Sequence, residues 1–134
     1  MTVPLMNRAK RTKPIMADGE VLQKLRTVCL SLPETSERAS WGHPNFLAGK
    51  KTFVTFERIR GRPSIAFRLD RIDIERLIRD PQFFATPYGR NQWISIWVDT
   101  PFDWDFVQDL VVRGYRLVAL KRMTAALDGV APTR

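Results

Sequence analysis

The segment spanning residues 41–56 constrains the fold of this chain more than any other stretch. Two short apolar runs, residues 46–48 and 52–56, flank the dipeptide Gly49-Lys50. β-branched and aromatic residues on both sides of a glycine-containing turn are typical of a β-hairpin. Because successive side chains of a strand point to opposite faces, we expect Val54 and Phe56 on one face and Phe53 on the other.

A second hairpin follows directly. Alternating residues predict strands over residues 51–57 and 64–69, joined by a turn over residues 58–63. The turn contains Arg58, Arg60 and Arg62, so we expect an exposed, positively charged projection. The polar segment at residues 34–40 is predicted to be a connection that leads into the first hairpin.

Helical patterns surround these strands. Apolar spacing predicts four helices, over residues 19–31, 71–79, 104–113 and 119–127. Asp18, Asp70 and Asp103 are each placed to cap the start of a helix, since a carboxylate accepts hydrogen bonds from the first free amides. Gly114 is predicted to end the third helix.

Residues 93–98 form the clearest strand, with Ile94 and Ile96 on one face and Trp93 and Trp97 on the other. Residues 83–84 are expected to dock under the end of the second helix. Strands joined by tight hairpins run antiparallel, and their apolar faces need cover. The predicted fold class is therefore α+β, a single antiparallel sheet with helices packed on one face and two projecting hairpins.

The charge of the chain is unevenly distributed. Of its 134 residues, 22 are Lys or Arg and 14 are Asp or Glu, which gives a net charge of +8. Residues 1–17 carry four of the basic side chains and no acidic one, so they are predicted to form a disordered basic tail. Residues 18–134 are predicted to form one domain. The basic balance favours attraction to nucleic acid or another polyanion.

Several classes of site are predicted to be absent. The single cysteine, Cys29, lies on an apolar helical stripe and is interpreted as a buried structural thiol. His43 is the only histidine, lies near Ser40, and is interpreted as a structural or surface residue rather than as part of a triad. Asp103 and its acidic neighbours fit helix capping better than metal binding. We therefore predict no catalysis, no metal, no cofactor and no membrane segment, with a cytoplasmic location.

The order and spacing of several motifs resemble the MmcQ/YjbR family over about residues 21–127. The motifs are Leu30-Ser31-Leu32-Pro33-Glu34, Trp41-Gly42-His43-Pro44-Asn45-Phe46, Gly49-Lys50-Lys51-Thr52-Phe53, Phe83-Phe84-Ala85-Thr86-Pro87-Tyr88-Gly89, Trp93-Ile94 and Tyr115-Arg116-Leu117-Val118-Ala119-Leu120-Lys121-Arg122. The resemblance implies a small bacterial protein of compact α+β fold, the family's proposed DNA-binding role through two hairpin wings, and no established catalytic residues. Leu120 stands where the family often has proline, so the last helix is expected to begin early.

Two functional hypotheses follow. In the first, basic hairpin tips bind DNA, because cations at two tips could straddle a phosphate backbone. Its candidate residues are Lys50, Lys51, Arg58, Arg60, Arg62 and Arg68. In the alternative, the open sheet face binds a small ligand, a single-stranded nucleic acid or a protein partner, because exposed aromatic rings offer stacking surfaces. Its candidate residues are Trp93, Trp97 and Phe53.

Overall fold

The structure, a computed structural model, describes residues 16–129. The predicted basic tail therefore lies almost entirely outside the described residues. The helices are α1 (Asp18–Leu30), α2 (Arg71–Leu77), α3 (Trp104–Val118) and α4 (Lys121–Leu127). The strands are β1 (Thr35–Ser40), β2 (His43–Ala48), β3 (Lys51–Ile59), β4 (Arg62–Arg68), β5 (Phe83–Ala85) and β6 (Trp93–Trp97).

The six strands form one sheet in the order β1-β2-β3-β4-β6-β5, and every neighbouring pair is antiparallel. The predicted α+β class with a single antiparallel sheet is confirmed. In the described part of the chain no helix combines the length and apolar composition that crossing a membrane requires.

The core lies between the sheet and the helices that cover one of its faces. The register aligns Val54 with Phe67 and Phe67 with Ile94, so apolar side chains of three central strands form one continuous layer. Leu25 of α1 and Leu110 of α3 are buried against this layer. The alternation predicted for β6, with isoleucines towards the helices and tryptophans on the open face, is confirmed.

Phe53 does not lie on the open face, and that prediction is wrong. The pairing of β2 with β3 shifts by one residue, since Phe46 pairs with Val54 but Leu47 pairs with Thr52. This β-bulge inserts Phe53 as an extra residue and breaks the two-residue alternation. Phe53 is fully buried, and its ring meets that of Tyr115 edge to face with centroids 5.7 Å apart.

Two strands were not predicted. β1 was expected to be a polar connection, but it is an edge strand that pairs with β2 over its whole length. Its Glu37 accepts two hydrogen bonds from Arg26 of α1, at 2.6 and 2.8 Å. β5 contains the phenylalanines expected to dock under α2, and it pairs with the middle of β6, Phe83 with Ile96 and Ala85 with Ile94. β1 is polar and β5 has only three residues, so neither shows a strand pattern that the sequence alone reveals.

The predicted helix caps are confirmed in part. Asp70 accepts from the amide of Asp73 at 2.8 Å, and Asp103 accepts from the amide of Asp105 at 3.0 Å, so both predicted caps are confirmed. Asp18 is not a cap, because it lies inside the first turn of α1 after Ala17.

Gly114 does not end the third helix. It lies inside α3, which continues to Val118 because Tyr115 is fully buried and donates a hydrogen bond to the carbonyl of Pro33 at 2.7 Å. The last helix begins at Lys121 rather than at residue 119, with Leu120 in extended conformation as its first flanking residue.

Candidate functional site

Two hairpin turns project from the same end of the sheet. Trp41-Gly42 joins β1 to β2, and Arg60-Gly61 joins β3 to β4. Because β2 and β3 run antiparallel, the start of one lies beside the end of the other. We call these four residues the tip pair.

The backbone of the tip pair is unusual for the residues it carries. All four residues have positive φ, 55° and 80° in the first turn and 54° and 79° in the second. Such values define type I′ turns, whose first position favours asparagine, aspartate or glycine. Tryptophan and arginine at those positions carry local strain, which functional sites tolerate more often than packing sites do. The predicted six-residue turn after β3 is therefore a two-residue turn.

The side chains at the tips are exposed. Trp41 keeps 94% of its surface accessible, which is uncommon for the largest aromatic residue. Among the described residues, Arg60 has no carboxylate within ion-pair distance. At this end of the sheet the tip pair thus presents one exposed indole and, about 10 Å away across two strand spacings, one guanidinium without a carboxylate partner among the described residues.

The other two predicted tip arginines are partly neutralised. Arg58 pairs with Asp18, and it also donates to the carbonyl of Gly61 at 2.7 Å. Arg62 donates two hydrogen bonds to Asp99, at 2.7 and 2.8 Å. These hydrogen bonds hold the pKa of the Asp99 carboxyl below its usual value. The positive charge that the hairpin offers to a ligand is therefore smaller than the sequence indicates.

Lys50 and Lys51 are exposed, but they lie at the opposite end of β3 from Arg60. At about 3.3 Å per residue, the nine residues of β3 place the two basic turns roughly 26 Å apart. The predicted lysine and arginine tips are thus separated by the length of the sheet. The structure places Arg60 at the same end of the sheet as Trp41 instead.

The remaining predicted residues lie on the open face, where Arg68 pairs with Trp93 across β4 and β6. Arg68 donates to the carbonyl of Leu69 at 2.9 Å, so it holds neighbouring backbone in place. The Trp97 ring stacks on Phe84 with centroids 4.0 Å apart, and the Arg62 guanidinium lies 3.9 Å from the same ring centroid. A ligand stacking on Trp97 would have to displace one of these groups.

A small cavity opens beside Trp93. Its volume is about 160 Å³, and it is lined by His43, Thr55, Glu57, Ala66, Thr86, Pro87, Tyr88, Gly89 and Trp93. Sheet residues form its floor, and the loop after β5 folds back over them. Thr86 anchors that loop by a 2.8 Å hydrogen bond to Ser95. We call this space the face cavity.

His43 and Glu57 form the polar wall of the face cavity. Their Nε2 and Oε2 atoms lie 3.3 Å apart. The second imidazole nitrogen, Nδ1, is buried and has no hydrogen-bond partner within the described part of the chain. An unsatisfied buried polar atom costs about 1–3 kcal/mol, and each such atom in a native fold requires an explanation. The sequence did not predict that a carboxylate orients this histidine.

A larger cavity lies next to the tip pair. It has a volume of about 480 Å³, and Trp41, Arg58, His43 and Glu57 are among its lining residues. His43 and Glu57 border both cavities, but the larger cavity is also lined by Leu22 of α1 and by Phe56, which belong to the helix-covered side of the sheet. The two cavities therefore lie on opposite faces of β3 and share only this pair of residues.

The loop over the face cavity is strained. Tyr88, Arg90 and Asn91 all have positive φ, between 54° and 62°. A side chain at Gly89 would come within 2.9 Å of the Thr86 carbonyl oxygen, so the loop backbone is tightly packed there. Tyr88 is 100% exposed at the rim of the cavity. Strained, tightly held loops with exposed aromatic residues are common at ligand sites.

The described side chains place no hydroxyl or thiol as a nucleophile beside His43. Ser40 faces His43 across the β1–β2 turn, but the described residues contain no hydroxyl bonded to either imidazole nitrogen. Cys29 is buried, and burial raises the pKa of its thiol well above the usual range. Residues 16–129 contain no group of three side chains placed to hold a metal ion.

Trp41, Glu57 and Tyr88 are the site residues that sequence reasoning missed. The Trp41-Gly42 dipeptide ahead of a strand was a usable signal, because glycine there permits a tight hairpin turn. The proximity of Glu57 to His43 carries no local signal, since it depends on strand register.

Comparisons with known proteins agree with the fold. The sequence matches the family model described as YjbR over residues 30–117. The crystal structure of Deinococcus radiodurans protein DR2400, with a DUF419 domain, has a TM-score of 0.65 at 16% identity, covering 84% of this chain and 91% of that one. A Pseudomonas syringae protein has a TM-score of 0.63 at 13% identity, covering 76% and 98%. The similarities to these two solved structures concern the fold alone. No curated protein matches the chain.

Proposed function

The chain belongs to the YjbR family, and we propose that it binds DNA, with a preference for single strands, through the tip pair and without catalysing a reaction. The observation that carries the proposal is that the exposed Trp41 lies at the same end of the sheet as Arg60, which has no carboxylate partner among the described residues. Single strands leave bases free to stack on an indole, and a neighbouring cation binds the backbone phosphate.

The charge of the protein supports this choice of ligand. A net charge of +8 attracts a polyanion and raises the rate of encounter. The tip pair would then supply the short-range contacts, since stacking tolerates any base while the guanidinium binds phosphate. A base in an intact duplex is already stacked on its neighbours, so Trp41 favours single strands over duplex.

The turn between β2 and β3, with Lys50 and the adjacent Lys51, is called the lysine turn. Two differences favour the tip pair over it. The lysine turn has no exposed aromatic residue, and it lies at the other end of β3. Trp41 also lines the larger cavity, so a strand stacked on it lies next to a concave surface. The lysine turn contributes long-range attraction in this proposal, and the tip pair contributes specific contacts.

The proposal can be tested by binding fluorescently labelled single-stranded and duplex DNA across a salt series. The variant Trp41→Ala should weaken single-strand binding by about 1–3 kcal/mol with little change in salt dependence. Arg60→Ala should reduce the slope of log affinity against log salt by about 0.7, the value for one phosphate contact on a single strand. Both variants should keep their melting temperatures, because both side chains are solvated.

The matched control is the double variant Lys50→Ala/Lys51→Ala, which removes two charges from the opposite end of β3. It should reduce the slope of log affinity against log salt and leave the stacking of bases on Trp41 unchanged. If the control weakens single-strand affinity as much as Trp41→Ala does, the binding surface is not the tip pair. Absence of DNA binding near physiological salt would contradict the proposed function itself.

A further inference from the structure

We propose that the face cavity holds one unpaired pyrimidine base carrying an exocyclic amino group, that is, a cytosine ring, with the amino group donating to Glu57. This inference rests on the proposed function, because the base would belong to the strand held at the tip pair. The cavity lies on the open face, away from the tips, and is lined by His43, Glu57 and Trp93 together with the Thr86–Gly89 turn.

The volume of the face cavity selects a single ring. It measures about 160 Å³. An engineered protein cavity of about 150 Å³ accommodates benzene, so a six-membered ring fits such a space. The second fused ring of a purine would lie outside it, in solvent. The size of the cavity therefore favours pyrimidines among the nucleic-acid bases.

The polar wall selects among the pyrimidines. Glu57 Oε2 lies 3.3 Å from His43 Nε2, which orients the carboxylate and leaves Oε1 to accept from a ligand. Cytosine presents an amino donor at its 4-position, whereas thymine and uracil present a carbonyl oxygen there. A carboxylate accepts from the first and repels the second. His43 is in this arrangement a positioning residue, since it acts through Glu57.

The other walls suit a planar ring. Trp93 forms one side of the cavity, and Tyr88 stands fully exposed at its rim. Recognition of unpaired bases commonly combines stacking on aromatic side chains with hydrogen bonds to the Watson–Crick edge. Thr55 and Thr86 add hydroxyl groups that donate or accept as a ring carbonyl or nitrogen requires. The strained turn over the cavity keeps these groups in place.

The position of the face cavity relative to the tip pair supports the same ligand. His43 and Glu57 line both the face cavity and the larger cavity that contains Trp41 and Arg58. Trp41 lies two residues before His43 in the chain, so a strand stacked on Trp41 reaches the neighbourhood of Glu57. The tip pair would bind any base, and the face cavity would supply the preference for one.

The test measures the affinities of oligo-dC, oligo-dT and free cytidine for the wild-type protein and for Glu57→Gln. The wild type should prefer oligo-dC to oligo-dT by roughly fivefold or more, as expected for one good base contact. Glu57→Gln should remove most of that preference while keeping oligo-dT affinity. The control Asp109→Asn neutralises an exposed acid of α3, on the other face of the sheet, and should keep the preference.

A second readout does not depend on the variant. The protein has one histidine, so the ring resonances of His43 form a unique nuclear magnetic resonance probe beside the proposed base. Cytidine should shift those resonances, and uridine at the same concentration should not. Shifts with oligo-dC but not with free cytidine would support a base delivered by the bound strand, and shifts with both would support independent recognition of the ring.

The two proposals fail in different ways. If no oligonucleotide binds and cytidine leaves His43 unshifted, both are wrong. If oligonucleotides bind but the preference for dC is absent, or is unaffected by Glu57→Gln in a variant of unchanged melting temperature, the face-cavity inference alone is overturned. Equal shifts of the His43 resonances by cytidine and uridine would overturn it as well.

Discussion

Gly114 of α3 lies directly against the carbonyl oxygen of Arg68 at the end of β4. A β-carbon built on Gly114 would be 2.8 Å from that oxygen and 3.3 Å from the carbonyl oxygen of Phe53. Both neighbours are backbone atoms in the central strands, so neither can move alone. The glycine inside the helix therefore sets how closely α3 approaches the sheet, and that close approach buries Phe53 and Tyr115.

We expect Gly114→Ala to lower the free energy of unfolding by about 1–3 kcal/mol, the usual cost of overpacking a core. Alanine is favoured over glycine in a helix by about 1 kcal/mol, so a stabilised variant would show that α3 can move away from β4. The matched control is Gly19→Ala in α1, where an added β-carbon meets nothing within 4 Å. Urea denaturation of both variants gives the comparison, and the control should be neutral or stabilised.

Patterns carried by consecutive residues were predictable. The alternation of Ile94 and Ile96 with Trp93 and Trp97 identified both faces of β6, because side-chain direction along a strand follows from backbone geometry. Asp70 and Asp103 were recognisable as caps for a similar reason, since a cap contacts amides two or three residues away. These signals need no knowledge of the remaining chain.

Features that depend on strand register were not predictable. The bulge at Phe53 arises from a shift in the pairing of β3 with β2. The contact of His43 with Glu57 requires β2 and β3 to align across a hairpin. The opposite positions of Lys50 and Arg60, by contrast, follow from the predicted hairpins themselves, because a strand shared by two consecutive hairpins has their turns at its two ends. The candidate site is thus a product of topology more than of local sequence.

Phe53 offers a direct test of the bulge. We expect Phe53→Ala to cost about 3–5 kcal/mol of unfolding free energy, because a fully buried ring leaves a cavity against Tyr115. On the open face, as alternation alone predicted, the same change would cost far less. Thermal denaturation followed by circular dichroism distinguishes these outcomes, with the exposed Trp41→Ala as the aromatic control.

Glu37 should give stability a dependence on acidic pH. Hydrogen bonds from Arg26 lower the pKa of the Glu37 carboxyl in the folded state, and the unfolded value is about 4.3. A lowered folded pKa means that the stabilisation is complete well above pH 4.3 and is lost as the pH falls through the folded pKa. Glu37→Gln should flatten the fall in melting temperature between about pH 5 and pH 2. An identical pH profile for the variant would show that the pair contributes nothing measurable.

The carboxylate of Asp99 limits the charge available near the tip pair, because Arg62 directs two hydrogen bonds to it. We expect Asp99→Asn to strengthen single-stranded DNA binding, since Arg62 would be free to contact a phosphate, and to steepen the salt slope by up to about 0.7. The control Asp128→Asn also frees one paired arginine, Arg116, but between α3 and α4. Both variants raise the net charge by one unit, so a general electrostatic effect would strengthen binding equally. A larger gain for Asp99→Asn would locate the strand beside Arg62, and equal gains, or none, would contradict binding at this end of the sheet.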